Sequence, residues 1–214
     1  MHRLWGALVQ FGFRLLYNEL AFTYDGVSEV VSLGAWHCWQ RAALKHLAVP
    51  PGARVLELAH GTGNLQIDLL GLGYQTFGYD LSASMGRITR RKLRQQNLPV
   101  RLIQGRAQEL PYPSSVFAAV ISTFPTPFIL EAETLQEVHR VLQADGQFII
   151  VPNGVLTTGG APEAGLEWLY RITGQRQEPR FEVASYFAPY GFSVEIVQEP
   201  CPRSVATVVS ARKK

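Results

Sequence analysis

The stretch from Arg54 to Asp80 constrains the fold most strongly. It begins with a short apolar run, residues 55–59, which ends at a glycine turn and is typical of a buried strand. Gly61 and Gly63 open a helical pattern, and glycines at such a bend permit a positive φ and a close approach of backbone to a ligand. A second apolar run ends on Asp80, 17 residues beyond Gly63. The pattern predicts a crevice between two strand ends, where Asp80 accepts hydrogen bonds from a ribose diol.

Two classes of ligand use such a crevice, and two residues help to separate them. In the dinucleotide pattern G-x-G-x-x-G the third glycine lets helix and strand pack closely beside a pyrophosphate. Gln66 stands at that position here, which disfavours an NAD-dependent enzyme. Glu57 lies just before the turn, where an acid suits a ligand that carries an ammonium and a sulfonium better than a pyrophosphate. A cationic ligand is therefore favoured.

Strand and helix patterns alternate from Ala53 onward. The sequence predicts strands over 53–58, 74–79, 100–104, 116–122, 147–151, 192–198 and 205–210, and helices over 62–70, 82–96, 131–143, 163–173 and 182–189. Alternation of this kind predicts an α/β fold of the Rossmann-like, doubly wound type, with helices on both faces of a mostly parallel seven-stranded sheet. The last two strands have the alternating pattern of an antiparallel pair.

The chain has the length and apolar content of one compact domain, with 214 residues of which 47% are hydrophobic. We expect residues 1–50 to form an N-terminal helical lid segment and residues 51–214 to form the main domain. Residues 3–22 predict a helix that is apolar around most of its girth. A lid over the domain, a membrane-surface anchor and a homodimer face all fit this pattern, and the sequence does not choose among them.

Charge and cysteine content bear on partners and compartment. Basic residues exceed acidic ones by 20 to 17, a small imbalance that does not indicate a nucleic-acid partner. Cys38 and Cys201 lie far apart without a C-x-x-C motif, so the sequence predicts neither a disulfide nor a metal site and favours a reducing cytoplasm. One helix concentrates cations, which fits either a solvated face or a patch for phosphate or anionic lipid: Arg87, Arg90, Arg91, Lys92 and Arg94.

Several motifs in order resemble one family, the class I S-adenosylmethionine-dependent methyltransferases of the ubiquinone/menaquinone-biosynthesis type. They are Glu57-Leu-Ala-His-Gly-Thr-Gly63, Gly78-Tyr-Asp-Leu-Ser82 with Met85, Gly105-Arg-Ala-Gln-Glu-Leu-Pro111, Val116-Phe-Ala-Ala-Val-Ile-Ser122 and Glu137-Val-His-Arg-Val-Leu-Gln-Ala-Asp-Gly146. The chain departs from the family pattern at Ala59, where a glycine is usual, at Arg106, where an acid is common, and at Ala144-Asp145, where Pro-Gly is usual.

The resemblance implies S-adenosylmethionine as cofactor and a set of residues that bind it. Glu57 would face its amino-acid end, Asp80 would hold the ribose, Leu81 and Met85 would flank the adenine, and Thr123 with Phe124 would lie under the methyl group. The full implied set is Tyr24, Glu57, Ala59, Gly61, Thr62, Gly63, Asp80, Leu81, Met85, Arg106, Ala107 and Thr123.

We therefore expect methyl transfer to a small, largely apolar acceptor such as a quinone, a phenol, a polyketide-like molecule or a lipid. The alternatives are a non-catalytic cofactor-binding or regulatory protein of the same fold and, more distantly, an NAD-dependent enzyme. Methyl transfer from a sulfonium needs alignment and exclusion of water more than a dedicated base. His60, Tyr24, His37 and Asp25 are all candidate bases, and no spacing singles one of them out as catalytic.

Overall fold

A computed structural model describes residues 21–157 and 182–214. Within these ranges the α-helices are α1 (Tyr24–Val31), α2 (Trp36–Lys45), α3 (Asn64–Gly71), α4 (Ala83–Gln95), α5 (Ala132–Val141) and α6 (Val183–Phe187). The strands are β1 (Arg54–Leu58), β2 (Gln75–Asp80), β3 (Leu102–Gln104), β4 (Phe117–Thr123), β5 (Leu142–Leu156), β6 (Phe192–Cys201) and β7 (Ser204–Lys213). Short 3₁₀ helices cover Ala21–Thr23, Pro127–Leu130 and Ala188–Tyr190.

The seven strands form one sheet in the order β3-β2-β1-β4-β5-β7-β6. Strands β1 to β5 run parallel, whereas β7 is antiparallel to both β5 and β6. The predicted fold class is therefore confirmed, including the antiparallel pair at the end of the chain. Strands β2 and β3 lie on one side of β1, and β4 and β5 lie on its other side. The order in which strands are added therefore reverses next to β1. In sheets of this kind, ligands bind at the carboxyl ends of the strands at that reversal.

Both faces of the sheet are covered, which explains why the central strands are apolar runs instead of alternating patterns. On one face, Trp39 and Ala42 of α2 pack with Leu69 of α3 against the sheet. On the other face, Leu135 and Val138 of α5 pack with Phe187 of α6 and the inner residues of β4 and β5. The part of the predicted lid segment that the structure describes thus shares one hydrophobic core with the main domain.

The start of α4 is fixed by a side-chain cap. Ser82 has extended backbone angles, and its Oγ accepts a hydrogen bond from the backbone N–H of Met85 at 3.2 Å. A serine at this position satisfies one of the free N–H groups of the first helical turn. Because β2 ends at Asp80, only two residues separate the end of the strand from the helix, and the carboxylate of Asp80 is held at the edge of the sheet.

The prediction of two unpaired cysteines is wrong. Cys38 in α2 and Cys201 at the end of β6 form a disulfide, although 163 residues separate them. Helix α2 packs beside the β6–β7 hairpin, where the indole Nε1 of Trp39 donates to Ser204 Oγ at 3.0 Å. The cysteine argument for a reducing compartment therefore loses its premise.

Two sequence predictions lie outside the described residues: most of the apolar N-terminal helix, whose residues 1–20 are not described, and the helix over 163–173. The three proposed roles of residues 1–22 stay predictions for this reason. Among residues 21–157 and 182–214, no helix combines the length and the apolar character that crossing a membrane requires.

Candidate cofactor and acceptor site

The turn after β1 lies beside the carboxyl end of β2, and a pair of hydrogen bonds joins them. Asp80 accepts from the backbone N–H of Gly61 through Oδ2 at 2.9 Å, and from the N–H of Ser82 through Oδ1 at 2.7 Å. Each carboxylate oxygen keeps a second lone-pair site for a ligand hydroxyl. Asp80 is half-buried, so it can be reached from the crevice. This geometry fits the predicted ribose acceptor and also makes Asp80 a support of the glycine turn.

The two glycines of the turn serve different purposes. Gly61 has φ +53°, and a Cβ placed on it would meet no heavy atom within 4 Å, so its outer side is open. Gly63 has φ +81°, and a Cβ there would lie 2.3 Å from Cγ2 of Thr89 in α4. The space above Gly61 suits close approach of a ligand, whereas Gly63 is required for packing between the turn and α4. The residue at the position of the family's usual first glycine, Ala59, also has a positive φ, at +55°.

Glu57 lies inside the domain, directly below this turn. It is only 1% exposed, and its Oε2 accepts a hydrogen bond from Nε2 of Gln66 at 2.7 Å. Burial raises the pKa of Glu57 to about 8; the hydrogen bond from Gln66 opposes the shift, and the charges of Asp80 and Asp68 add to it. In the structure as it stands the carboxyl group is therefore mostly protonated at neutral pH. Its predicted contact with the ammonium of the cofactor stays a prediction.

His60 occupies the same turn and is 5% exposed. Its Nδ1 lies 3.0 Å from the carbonyl oxygen of Gly61 and 3.3 Å from Oγ1 of Thr89, so the ring braces the turn against α4. Burial lowers the pKa of His60, while the charge of Asp80 and the backbone carbonyls act in the opposite direction. A neutral imidazole in contact with its own turn is better suited to support than to proton transfer at the acceptor.

Asp25 in α1 ties the N-terminal segment to the cofactor turn through three side chains. Its Oδ1 accepts from Thr62 Oγ1 at 2.5 Å and from Asn64 Nδ2 at 3.1 Å, and its Oδ2 accepts from Lys92 Nζ at 2.6 Å. Lys92 also donates to Asn64 Oδ1 at 2.8 Å, which closes the network. Burial acts to raise the pKa of Asp25, but the hydrogen bonds from Lys92, Thr62 and Asn64 together lower it. We call these four residues the α1 latch.

An aromatic wall stands at the end of β4, where the resemblance places the transferred methyl group. Phe124 follows Thr123, has φ +51°, and stacks on Trp36 with the ring centroids 4.0 Å apart and the planes at 21°. Tyr24 and Trp39 approach Trp36 edge-on at 6.0 and 6.4 Å. The aromatic segment before β1 and the end of β4, which are distant in sequence, thus form one surface next to Thr123, which is 8% exposed.

The residues predicted for the adenine side differ in exposure. Leu81 is 67% exposed at the rim beside Asp80, which leaves its side chain available to an adenine ring. Arg106 is exposed, whereas Ala107 is 7% exposed and Met85 is 1% exposed. Met85 therefore packs in the core in this structure, and its predicted contact with the adenine stays a prediction.

A cavity of about 180 Å³ adjoins Asp80 between α4 and β3, lined by His60, Asp80, Ser82, Ala83, Gly86, Arg87, Arg90, Leu102, Ile103 and Gln104. Small-molecule pockets typically occupy about 300 to 1,000 Å³, so this cavity is too small to hold a whole nucleoside-bearing cofactor. The predicted cofactor site therefore extends beyond this cavity, towards the open side of Gly61. The candidate bases are dispersed: His37 is exposed, Asp25 belongs to the α1 latch, and His60 lies below the turn.

Sequence reasoning missed the partners that hold the site together. The sequence shows that Gln66 does not suit a dinucleotide site, but it does not show that Gln66 donates a hydrogen bond to Glu57. The sequence pattern likewise gives no sign that Asn64 and Lys92 bind Asp25, because Lys92 lies in a run of cations. A buried acid two residues before a glycine turn signals that a donor must lie nearby, because an unpaired buried carboxyl is costly. Nothing in the sequence indicated which donor it would be.

A doubly wound sheet with a glycine turn after its central strand and an acid at the end of the next strand is the arrangement that the resemblance to the class I S-adenosylmethionine-dependent methyltransferases predicts. Residues 12–173 match the model of the ubiE/COQ5 methyltransferase family. The chain belongs to this family, and it is an S-adenosylmethionine-dependent methyltransferase. The family assignment gives no support to the non-catalytic alternative or to an NAD-dependent enzyme.

Curated relatives agree with this assignment. A demethylmenaquinone methyltransferase of Thermus thermophilus is 30% identical over 202 residues, which cover 92% of this chain and 90% of the relative. One from Lactobacillus johnsonii is 34% identical over 138 residues, or 62% of this chain and 57% of the relative. Among solved structures, geranyl diphosphate C-methyltransferase of Streptomyces coelicolor, in complex with S-adenosyl-L-homocysteine, superposes with a TM-score of 0.65 at 14% identity, covering 83% of this chain and 79% of that one. This last similarity concerns the fold.

Proposed function

We propose that this enzyme transfers the methyl group of S-adenosylmethionine to a quinone-type ring or a similarly apolar small acceptor. The observation that carries the proposal is the stack of Trp36 on Phe124 at 4.0 Å, because the buried Trp36 ring fixes the half-buried Phe124 ring at the end of β4. A flat apolar ring packs well against the accessible part of such a side chain, by offset stacking or by edge contacts. The name of the Thermus relative, demethylmenaquinone methyltransferase, points to the same class of acceptor.

Bound S-adenosylmethionine supplies an electrophilic methyl group on a sulfonium. On this proposal Asp80 accepts from the ribose hydroxyls, the open side of Gly61 admits the amino-acid end, and Leu81 packs on the adenine beside Arg106 and Ala107. The hydrogen bond of 2.9 Å from the N–H of Gly61 to Asp80 lies within the protein itself, so it orients the turn and the acid relative to each other. Preorganisation of this kind lowers the cost of binding.

The residues on the acceptor side align the acceptor with the methyl group and exclude water from it. The aromatic wall of Tyr24, Trp36, Trp39 and Phe124 excludes water next to Thr123, and an aromatic face also attracts a sulfonium cation. The α1 latch holds Tyr24 over the turn because the adjacent residue, Asp25, is bonded to Thr62, Asn64 and Lys92. Alignment within about 3 to 3.5 Å of the reacting atoms accounts for much of the rate of such a displacement.

The test uses trideuteromethyl S-adenosylmethionine and mass spectrometry across an acceptor panel. The panel contains reduced prenylated naphthoquinones and benzoquinones, simple phenols, and polar amines and carboxylates as counter-examples. We expect label on the apolar rings. Label only on amines or carboxylates contradicts the proposal. Cofactor binding without transfer to any acceptor would also contradict it and would support a non-catalytic, cofactor-binding role.

Two variants localise the acceptor. Trp36→Leu should raise KM for the ring acceptor while leaving the dissociation constant of S-adenosylmethionine within about twofold, because the wall contacts the acceptor and not the nucleoside. Tyr112→Leu is a matched control, since it also replaces a packed aromatic ring with leucine, in the separate cluster of Tyr112, Phe77 and Phe117. Equal effects of the two changes would mean that the wall is only part of the core.

A further inference from the structure

Helix α4 carries one exposed face made of arginines. Arg87, Arg90, Arg91 and Arg94 follow the spacing i, i+3, i+4 and i+7, which places them on one side of a helix, and all four are exposed. The nearby Lys92 is turned away from them and bonds to Asp25 at 2.6 Å. We call these four residues the arginine face. It extends over about 10 Å of helix.

The charge of this face is not balanced within the part of the chain that the structure describes. None of the four arginines forms an ion pair there, whereas other basic side chains do, such as Arg41 with Asp68 and Arg140 with Glu137. Helix α4 contains no acidic residue, and among residues 21–157 and 182–214 the guanidinium of Arg87 donates to Ser84 Oγ at 2.8 Å and to no carboxylate. Like charges three and four residues apart destabilise a helix, so an external anion would relieve the repulsion.

An apolar side chain adjoins the arginines and indicates what kind of anion is suitable. Ile103 is 41% exposed and lines the same cavity as Arg87 and Arg90. A phospholipid surface accommodates this combination, because guanidinium groups bind lipid phosphates while an aliphatic side chain enters the acyl boundary. Single-stranded nucleic acid would favour aromatic platforms for base stacking, which Ile103 does not supply, and an exposed aliphatic side chain gains nothing against the phosphates of a duplex.

We propose that the arginine face, together with Ile103, docks this enzyme on an anionic phospholipid bilayer. Arg87, Arg90 and Ile103 line the cavity beside Asp80, so docking turns that side of the cofactor crevice towards the lipid. The surface is separate from residues 1–22, and its binding has a distinct signature: attraction between arginines and lipid phosphates weakens as salt screens it, whereas insertion of an apolar helix does not. The inference depends on the exposure and charge of α4 and not on the identity of the acceptor.

The experiment is sedimentation of the full chain with vesicles of phosphatidylcholine alone and with a quarter of the lipid replaced by phosphatidylglycerol. The test variant is Arg91→Gln with Arg94→Gln, since neither residue lines the cavity beside Asp80. The control variant, Arg54→Gln with Lys214→Gln, removes the same charge from two exposed residues on the side of the sheet where its parallel strands begin, away from the cavity beside Asp80. Circular dichroism and S-adenosylmethionine calorimetry show whether each variant is folded.

We expect the unmodified chain to bind the anionic vesicles and to be released as salt rises to about 0.5 M, where screening is short-ranged. Arg91→Gln with Arg94→Gln should weaken that binding about 30-fold, from a factor of roughly five for each cation at an anionic surface. The control variant should bind within about twofold of the unmodified chain. Equal binding to neutral vesicles, no binding to anionic ones, or equal losses in the two variants overturns the proposal. So does salt-sensitive binding to a duplex oligonucleotide without vesicle binding, which would assign the face to nucleic acid.

Discussion

The buried carboxyl group of Glu57 should make the stability of this enzyme fall as pH rises through the neutral range. Burial raises its pKa from the usual 4.5 to about 8. Between those values the unfolded chain loses the proton of Glu57 while the folded chain keeps it. A group whose folded pKa is raised contributes its full stabilisation below the unfolded pKa and loses it as pH rises through the folded pKa. The window for Glu57 is therefore about pH 4.5 to pH 8.

The size of the effect follows from one proton. The free energy of unfolding changes by about 1.4 kcal/mol per pH unit for each proton by which the two states differ. Between pH 5 and pH 8, Glu57 should therefore contribute a loss of roughly 3 to 4 kcal/mol. The pKa values of His60 and His139 are lowered, mainly by burial, so these residues act in the opposite sense below about pH 6.5. A difference between two proteins is needed to isolate Glu57.

Glu57→Gln provides that difference, because a glutamine keeps the shape and still accepts from Gln66 but cannot titrate. Urea unfolding at pH 5, 6, 7 and 8, without ligand, gives the free energy of unfolding of both proteins. The wild-type value minus the variant value should fall steadily by roughly 3 to 4 kcal/mol over this range. Glu199→Gln is the control, since this acid binds Lys45 and His46 and its pKa is lowered, so its effect belongs below pH 5. A constant wild-type minus Glu57→Gln difference would mean that Glu57 is ionised and that the burial argument fails.

Three further predictions concern the turn, the latch and the disulfide. Gly63→Val should fail to fold, since its side chain would collide with Thr89. Gly61→Val should fold but lose the binding of S-adenosylmethionine in calorimetry. If both variants fold and bind the cofactor, the turn is not part of the cofactor site. Lys92→Met should weaken cofactor binding about tenfold, because it removes a charged hydrogen bond to Asp25 that is worth roughly 1.4 kcal/mol or more. The control Lys45→Met, which removes a bond to Glu199, should leave cofactor binding unchanged. Equal affinities of the two variants would show that the α1 latch does not contribute to cofactor binding. Reduction should lower the free energy of unfolding by about 2 to 5 kcal/mol, because the disulfide closes a loop of 163 residues, and a Cys38→Ser, Cys201→Ser variant should not respond to reductant. Equal responses of the two proteins would contradict it.

The fold could be predicted from the sequence because each strand and helix is indicated by a local pattern of residues. The buried strands are short apolar runs that end at glycine or at an acid. The strands predicted over 53–58 and 74–79 are within one residue, at each end, of the observed β1 (Arg54–Leu58) and β2 (Gln75–Asp80). The end of α5 was placed two residues late, since Leu142 and Gln143 continue a helical pattern but belong to β5. Pairing with β4, where Phe117 lies opposite Leu142, outweighs the local helical preference there.

The site was only partly accessible, because its remaining determinants depend on contacts between distant residues. Asp80 was readable as an acid that ends a strand. The disulfide was not, since the packing of α2 beside the β6–β7 hairpin brings Cys38 to Cys201. Likewise, the sequence presented Gly61 and Gly63 as equivalent, and only the position of Thr89 on α4 shows that Gly63 is needed for packing.

The crevice between Gly61 and Asp80 should bind S-adenosylmethionine, and titration calorimetry with that cofactor measures this binding. We expect saturable one-to-one binding, no heat with NAD, and a loss of at least about 100-fold in affinity for Asp80→Asn, since two charged hydrogen bonds to a ribose are worth about 3 kcal/mol or more. Asp145→Asn, at an exposed acid, should bind normally. Because Asp80 also holds the N–H groups of Gly61 and Ser82, thermal unfolding must show that the variant is folded. An unmodified chain that binds no S-adenosylmethionine, or a folded Asp80→Asn variant with unchanged affinity, would contradict the account.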